Sequence, residues 1–417
     1  MSDLKNTESI LQLGMNYIFG HGVEKNPKKG AILLQKAADL GDMQGMVFLS
    51  LCYEEGIGVP KDEKHAEKLR NKAFEEHGPG AAFAWAACLL EGNIVQKNEE
   101  KGIEILDCLA KQDFPLAQFY LGLFYTQGNH VKQDVDLGLK WWNKAAEGGF
   151  APALCGLGCL YVDGFLVPAD PAKAIKYFKQ AADQGDAEGQ YYLGTCYARG
   201  LIAGKGDVEA AELFKLSADQ GNDKAQFALS GCYALGQGVP EDQEKSAELC
   251  QLSADQGNAE AQDALGYLYA NGIGVPKDPE KAAEYYQLAA FQGLPEAQYH
   301  LALCYWKGEG LSKDEDFAAE LCTYAAEEGH AKAQVLLGKF YTDGVGLPKN
   351  EEKAFEWNQK AAEQGDVEGQ CNLGFCYSLG KGVEKDFEKA EEWWGKAAAQ
   401  GDKTAKKCLD ALNDFKK

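Results

Sequence analysis

The cysteines and histidines are the residues of this sequence whose types could bind a metal ion or carry a reaction. There are 13 cysteines and six histidines. Cys155 and Cys159 lie four residues apart, so on a helix they would share one face and could bind a soft metal ion or respond to an oxidant. No second pair accompanies them at metal-site spacing, and the histidines are scattered along the chain. The sequence therefore predicts no catalytic group, no metal site and no cofactor.

Six of the cysteines recur at multiples of 36 residues, which indicates a structural role in a repeated element. Such cysteines behave as small, buried apolar residues. The odd total and the irregular placement of the others favour reduced thiols over a disulfide framework. The six are Cys52, Cys88, Cys196, Cys232, Cys304 and Cys376.

Composition and charge exclude several classes of partner. The formal net charge is −22 and the pI is near 4.8. Such a surface repels nucleic acid and anionic membranes and favours encounters with basic partners. The first ten residues lack the apolar core of a secretory signal, and the longest apolar candidate, 151–162, is too short to span a bilayer. We therefore expect a cytoplasmic protein, as a monomer or a weak oligomer.

The chain aligns on itself at 36 residues, without insertion or deletion, to give eleven units. Residues 1–6 precede them as a short extension, and residues 403–417 continue the pattern for one further helix, which we expect to cap the array. Repeats of this length are typical of solenoids. The units begin at Thr7, Met43, Pro79, Pro115, Ala151, Ala187, Asp223, Ala259, Pro295, Ala331 and Val367.

The eighth unit illustrates how the pattern encodes two amphipathic helices. Its first helix has small Gly266 at the eighth position, where another backbone must approach, and Gly272 should end that helix in the left-handed conformation. Asp278 should cap the second helix, with Pro279 at its first position. Each helix is too short to be stable alone, so stacking must bury the apolar stripes. Those stripes are Ala261, Leu265 and Tyr269, then Ala282, Tyr285, Tyr286, Ala289 and Ala290.

This pattern, A-x-x-x-L-G-x-x-Y-x-x-G-x-G-V followed by D-x-x-K-A-x-x-Y-Y and A-A-x-x-G, resembles the Sel1-like repeat, a relative of the tetratricopeptide repeat. The resemblance covers residues 7–402 and implies an all-α, right-handed superhelical solenoid that acts as a scaffold or adaptor. Some secreted relatives have cysteines eight residues apart across each junction between units. Here Ala182 and Gln190 occupy two such positions.

The resemblance implies that the fifth position of each first helix faces a concave groove, where a protein or peptide partner would bind. The partner would be basic, with apolar anchors. Packing between neighbouring first helices is an equally good interpretation of the same side chains. The fifth position and nearby positions of the same helices supply the candidate binding residues, Phe83, Phe119, Leu123, Tyr191, Phe227, Tyr267, Tyr299 and Trp306.

Units three to six differ from the others in the turn between their helices. A glycine two residues after the helix-ending glycine is replaced there, and the change could build an apolar ridge or only alter the packing of the turns. Units two and three also replace their closing glycine by His77 and Asp113, where the superhelix could bend. The ridge residues would be Ile94, His130, Phe165, Leu166, Leu201 and Ile202.

Two other functions stay open at this point. A few relatives of the family have been discussed as β-lactam-binding or β-lactam-hydrolysing proteins, but no serine in this sequence has a recognisable lysine or histidine partner. An architectural role, through end-to-end self-assembly, is the other alternative. Residues 1–6 are too short to cap the first unit, so we expect Leu11, Met15, Ile18 and Phe19 to be partly exposed and available for such a contact.

Overall fold

A computed structural model describes residues 2–92, 97–204 and 206–416, with side chains for 7–92, 97–204 and 206–412. Helices and the turns between them account for all of these residues. Each repeat contributes a first and a second helix. The first helices are α1 (Ser2–Phe19), α3 (Met43–Glu55), α5 (Pro79–Glu91), α7 (Pro115–Gln127), α9 (Ala151–Asp163), α11 (Ala187–Ala198), α13 (Asp223–Leu235), α15 (Ala259–Asn271), α17 (Pro295–Lys307), α19 (Ala331–Asp343) and α21 (Val367–Leu379). The second helices are α2 (Pro27–Asp39), α4 (Glu63–His77), α6 (Glu99–Lys111), α8 (Val135–Glu147), α10 (Pro171–Asp183), α12 (Asp207–Ala218), α14 (Gln243–Asp255), α16 (Pro279–Phe291), α18 (Glu315–Glu327), α20 (Glu351–Glu363) and α22 (Phe387–Ala399), and α23 (Lys403–Lys416) follows them.

The helices form two compact units, Met1–Leu193 and Gly194–Lys417. Within each unit, a first helix packs against the second helix of its own repeat, and that helix packs against the first helix of the next repeat. This neighbour-only packing defines a solenoid. The prediction of an all-α solenoid built from eleven helical hairpins is therefore confirmed. Residues 2–6 of the short extension belong to α1, and α23 packs on α22.

The predicted helix ends occur in the eighth repeat. Asp278 accepts a hydrogen bond from the backbone N–H of Lys281 at 3.0 Å, and Pro279 begins α16. Gly272 ends α15 with φ +71°, and its N–H donates to the carbonyl of Leu268. A side chain strains this left-handed conformation, which explains why glycine recurs there.

The repeats without a closing glycine end their second helices in two ways. α4 runs on to His77, so that Gly78 takes the positive φ of +59° one residue later. Asp113 keeps the register of the repeat and adopts φ +63° itself. Asp113 thus replaces the closing glycine without a shift of the helix end, whereas the repeat with His77 uses a glycine one residue later.

The small eighth position of each first helix is explained by the side chain that packs on it from the second helix. A Cβ added to Gly122 would lie 2.1 Å from the ring of Trp142, and one added to Gly158 would lie 2.3 Å from the ring of Phe178. Gly266 faces Tyr286 in the same way, at 2.7 Å. The large ring and the missing side chain therefore form one packing unit.

The glycine of the turn serves the contact between successive repeats. A Cβ added to Gly274 would lie 2.0 Å from the carbonyl oxygen of Gln243, at the start of the preceding second helix. Gly22, in the first repeat, has no preceding repeat and nothing within 4 Å. In the fourth repeat His130 occupies this position with φ +61°. The altered turns of repeats four to six therefore cannot make the same close approach.

The cysteines are free thiols, and most are buried. Burial raises the pKa of Cys52 and of Cys250 to about 12. Burial also raises the pKa of Cys155, and the nearby carboxylates of Asp186 and Glu188 add to the effect. A thiol whose pKa is raised carries little thiolate at neutral pH, which disfavours both metal binding and oxidation.

Mutation can separate the two roles of the positive-φ glycines, which are to adopt the left-handed conformation and to allow the close approach of the preceding repeat. We expect Gly274→Ala to lower the free energy of unfolding by about 3 kcal/mol, because the left-handed conformation costs about 1–2 kcal/mol and the clash with a backbone carbonyl adds a similar amount. Gly293→Ala is the matched control, since Gly293 has φ +86° and nothing within 4 Å. It should cost only about 1–2 kcal/mol. Urea unfolding followed by circular dichroism measures both, and equal losses would contradict the close approach.

Thiol reactivity should follow exposure. In the native protein, iodoacetamide should modify exposed Cys108 first, whereas Cys52, Cys155 and Cys322 should react only after unfolding. Because burial raises the pKa of these three thiols, raising the pH to 8.5 should not ionise them and should not make them reactive. Mass spectrometry of timed samples gives the order of modification, with Cys108→Ser as the control that removes the fast phase. Rapid native modification of Cys155 would contradict this assignment.

Candidate partner-binding site

The candidate binding residues all lie on first helices, in both compact units. Seven of the eight are half-buried, and Tyr267 is classed as exposed. Each unit presents its own subset, and the two subsets are described separately. The first unit holds Phe83, Phe119, Leu123 and Tyr191, and the second holds Phe227, Tyr267, Tyr299 and Trp306.

Phe83 lines an apolar groove across the first helices α1, α3, α5 and α7. The groove has a volume of about 460 Å³. Met15 and Phe19 close one side, and Phe48 and Ala87 contribute from the next two repeats. Methionine adapts its shape to different ligands, and the aromatic rings supply large apolar contact areas. A groove with this lining is suited to the apolar side chains of a partner.

A second, smaller cavity of about 200 Å³ also borders Phe83. Tyr120, Phe124 and His130 line it, and Ala87 contributes to both cavities. The ring of Phe83 stands 5.3 Å from that of Tyr120, between centroids. Phe83 therefore borders two neighbouring apolar cavities, each of which could hold one side chain.

The polar groups of the larger groove lie at its edge. Among its lining residues only Gln44 and Glu91 have polar side chains, and Glu91 is exposed at the end of α5. Glu91 also borders the smaller cavity. A carboxylate beside two apolar cavities favours a ligand that combines apolar anchors with a positive charge.

Phe119 belongs to the interior packing of the first unit. Its ring stacks on Trp142 with 6.1 Å between centroids and meets the edge of Phe150 at 5.9 Å. The carbonyl oxygen of Phe119 accepts a hydrogen bond from Nε1 of Trp142 at 2.9 Å. Tyr191 similarly lies against Tyr192, with 5.2 Å between centroids. The ring of Phe119 therefore contributes to packing between helices, whereas the contact of Tyr191 lies within α11.

In the second unit each candidate residue has different side chains as neighbours. The ring of Trp306 packs against that of Phe340, with 5.4 Å between centroids, and Nζ of Lys339 lies over the face of Trp306. Tyr299 is flanked by His300 and His330, at 5.5 and 5.1 Å. Phe227 packs with the buried residues of α14 and α15. Tyr267, which is 50% exposed, is the most accessible of this subset.

A polar network takes the place of an aromatic residue at the fifth position of the eighth repeat. Buried Asp263 accepts a hydrogen bond from Nδ1 of His300 at 2.8 Å. Glu296 contacts Nε2 of His330 at 2.5 Å. Burial of Glu296 opposes its ionisation, but the hydrogen bond from His330 and the nearby positive charges outweigh it, and the pKa of Glu296 is lowered.

The same histidine has a structural role. Nδ1 of His330 accepts a hydrogen bond from the backbone N–H of Ala333 at 3.2 Å, so His330 caps α19. An Nδ1 atom that accepts cannot carry a proton, and Nε2 must then donate to Glu296. The network therefore links repeats eight, nine and ten. In the described part of the chain, no group of three or more His, Cys, Asp or Glu residues is arranged to hold a metal ion.

The residues of the predicted ridge have different environments. His130 is half-buried, meets the edge of Phe124 at 4.9 Å and contacts Glu99 at 2.8 Å. In the first unit Phe165 is 90% exposed and Leu166 is half-buried. In the second unit Leu201 is exposed and Ile202 is half-buried. Ile94 lies outside the described residues.

The groove includes residues that sequence reasoning did not select. Phe48 and Ala87 lie at the sixth and ninth positions of their first helices, and neither was a candidate for binding. Met15 and Phe19 were expected to be partly exposed at the end of the array, and both are half-buried, in the wall of the groove. Leu11 and Ile18 are buried, so their predicted exposure is wrong. The sixth and ninth positions line the groove with the fifth. The ninth supplied the candidates Leu123 and Tyr267, but small Ala87 at that position gave no signal.

None of the helices in the described part of the chain combines the length and the hydrophobicity that a membrane span requires.

Comparisons with known proteins agree with the repeat architecture. The family model for the Sel1 repeat matches eleven consecutive segments, from residues 7–42 to residues 367–402. No curated protein matches the chain significantly.

Two solved structures are similar over most of the chain. A protective antigen present in uropathogenic Escherichia coli strains, which displays an SLR fold, is 31% identical, with a TM-score of 0.66; the match covers 98% of this chain and 88% of that one. A Sel1 repeat protein from Oxalobacter formigenes is 32% identical, with a TM-score of 0.53, over 78% of this chain and 93% of that one. With eleven matched repeats and these two relatives, the chain belongs to the Sel1 repeat family.

Proposed function

We propose that this protein is an interaction scaffold whose apolar groove on α1, α3, α5 and α7 holds the apolar side chains of a partner protein. Sel1 and related repeat folds generally mediate protein–protein interactions and are generally non-catalytic. The observation that carries the proposal is the pair of apolar cavities that share Phe83. They would hold two neighbouring anchors of one peptide or one helix.

The groove is suited to a partner for two physical reasons. Its walls are side chains of a rigid helical framework, so little ordering entropy is lost when a partner binds. Apolar area that becomes buried contributes about 25 cal/mol per Å², and the aromatic walls supply much of that area. Binding energy in such interfaces is concentrated in a few anchors that fill pockets.

The charge of the protein selects the rest of the partner. A net charge of −22 and the carboxylate of Glu91 at the edge of both cavities favour a segment with lysine or arginine beside its apolar anchors. We place this encounter in the cytoplasm, because a protein with 13 free thiols is suited to a reducing compartment.

Blocking the groove tests the proposal. Ala87 lines both cavities, so Ala87→Trp should fill them without removing any wall residue. Peptides selected from a random display library against the intact protein should share apolar residues next to lysine or arginine. Isothermal titration should show that they bind Ala87→Trp at least about tenfold more weakly, which corresponds to 1.4 kcal/mol.

Gly231→Trp is the matched control. Gly231 holds the same ninth position of its repeat, and a Cβ added there meets nothing within 4 Å. This variant should bind the selected peptides as the wild type does. If both variants bind equally well, or if the selected peptides carry no apolar residues, the groove is not the binding site.

A further inference from the structure

Four consecutive second helices of the second compact unit each expose one apolar side chain at the same repeat position. The four residues occupy the thirtieth position of repeats six to nine, and each retains 51–52% of its accessible surface. Equal exposure at one position of four successive repeats makes a row on the solvent-facing side of the second helices. We call this row the leucine stripe; its members are Leu216, Leu252, Leu288 and Tyr324.

The fold does not require an apolar residue at this position. In repeats ten and eleven the thirtieth residue is Lys360 or Lys396, and Nζ of Lys396 forms an ion pair with Glu392 at 2.8 Å. An exposed leucine makes no such pair and leaves apolar area in water, which is unfavourable unless something covers it. In the remaining repeats the position is also occupied by residues other than leucine, namely Lys36, Lys72, Cys108, Lys144 and Gln180.

Carboxylates border the leucine stripe along its length. Glu248 and Glu284 precede Leu252 and Leu288 by four residues, so each lies one helical turn away on the same exposed face. Another acidic residue lies a further turn away in repeats seven to nine. The exposed carboxylates on this side of the stripe are Glu212, Glu248, Glu284 and Glu320, followed by Glu244, Glu280 and Asp316.

A hydrogen bond joins two of the neighbouring second helices, α14 and α16, beside the stripe. Nε2 of Gln251 on α14 donates a hydrogen bond to the hydroxyl oxygen of Tyr285 on α16, at 2.8 Å. Gln251 immediately precedes Leu252. Phe291, which is 93% exposed, ends α16 one turn after Leu288 and extends the apolar area in that repeat.

We propose that the leucine stripe is a second docking surface, which binds a segment of another protein with apolar side chains set between lysine or arginine residues. The apolar row supplies the contact area, and the carboxylates on its border supply the complementary charge. Two copies of the same acidic stripe would repel each other. An anionic membrane would be repelled for the same reason. A basic, amphipathic protein segment meets neither obstacle.

The stripe shares no residue with the groove at Phe83, because its members lie on second helices of the other compact unit. The proposal therefore stands whether or not the groove binds a partner. The Ala87→Trp variant, which blocks the groove, should bind a ligand of the leucine stripe as the wild type does.

A charge-neutral pair of substitutions tests the stripe in the full-length protein, with Ala87→Trp as the common background so that the groove cannot take the same peptide. The probe is a fluorescein-labelled 18-residue synthetic peptide of leucine and lysine, patterned as an amphipathic helix, with binding followed by fluorescence anisotropy at 150 mM salt. Leu252→Gln with Leu288→Gln should weaken binding at least about tenfold, because two apolar contacts are lost while the charge of the protein is unchanged. Glutamine is native at this position in the fifth repeat, as Gln180, so the fold should survive.

The matched control removes two other exposed leucines of the same unit. Leu235 and Leu379 end the first helices α13 and α21 and are 69% and 59% exposed. Leu235→Gln with Leu379→Gln, in the same background, should leave the affinity within about twofold of that of Ala87→Trp alone. The same peptide with glutamate in place of lysine should not bind.

Three results would overturn the proposal. The first is equal weakening by both double variants, which would mean that the peptide binds the acidic surface without a defined site. The second is binding of the glutamate peptide with the affinity of the lysine peptide. The third is concentration-dependent sedimentation of the wild type that Leu252→Gln with Leu288→Gln abolishes, because the stripe would then be an interface between copies of this chain.

Discussion

The close approach of the two helices within each repeat is the constraint on which the rest of the structure depends. Where the second helix carries a large ring, the first helix has a glycine beneath it, as with Gly374 and Trp394. Where the second helix carries a small side chain, as at Cys250 and Cys322, the first helix tolerates Ser230 or Ala302. In these repeats a smaller residue on the first helix accompanies a larger one on the second, as close packing requires.

This pairing fixes the geometry of a repeat with few residues. The helix caps, the turn glycine and the pair at the eighth and twenty-eighth positions determine where the helices lie. The remaining exposed positions are then free to vary without loss of stability. Alanine, phenylalanine and leucine can replace one another on the groove side of the first helices, and lysine and leucine can do so on the exposed side of the second helices. Surface function can therefore differ between repeats of the same fold.

The repeat length, the helix ends and the all-α solenoid could be predicted from the sequence, because each depends on local residues such as Gly272 and Asp278 that recur at a fixed spacing. The binding surface could be predicted only in part. Phe83 and Phe119 occupy the same repeat position, yet Phe83 lines two cavities and Phe119 lies between Trp142 and Phe150. The difference arises from their neighbours. Small residues such as Ala84 and Ala87 leave cavities open beside Phe83, whereas the rings of Trp142 and Phe150 fill the space beside Phe119. The exposure of His130 could not be predicted either, since it depends on its contacts with Phe124 and Glu99.

The acidity of the chain and its apolar surfaces have different physical consequences for binding. Long-range charge raises the rate of encounter with any basic protein, and salt screens it over about 8 Å at physiological ionic strength. It cannot distinguish one basic partner from another. The apolar groove at Phe83 and the leucine stripe are discontinuities in this acidic surface, and only a partner with apolar groups at the matching spacing can cover them. Selectivity must therefore come from the few repeats whose surface positions depart from the common pattern, while the repeats that follow it hold those surfaces in place.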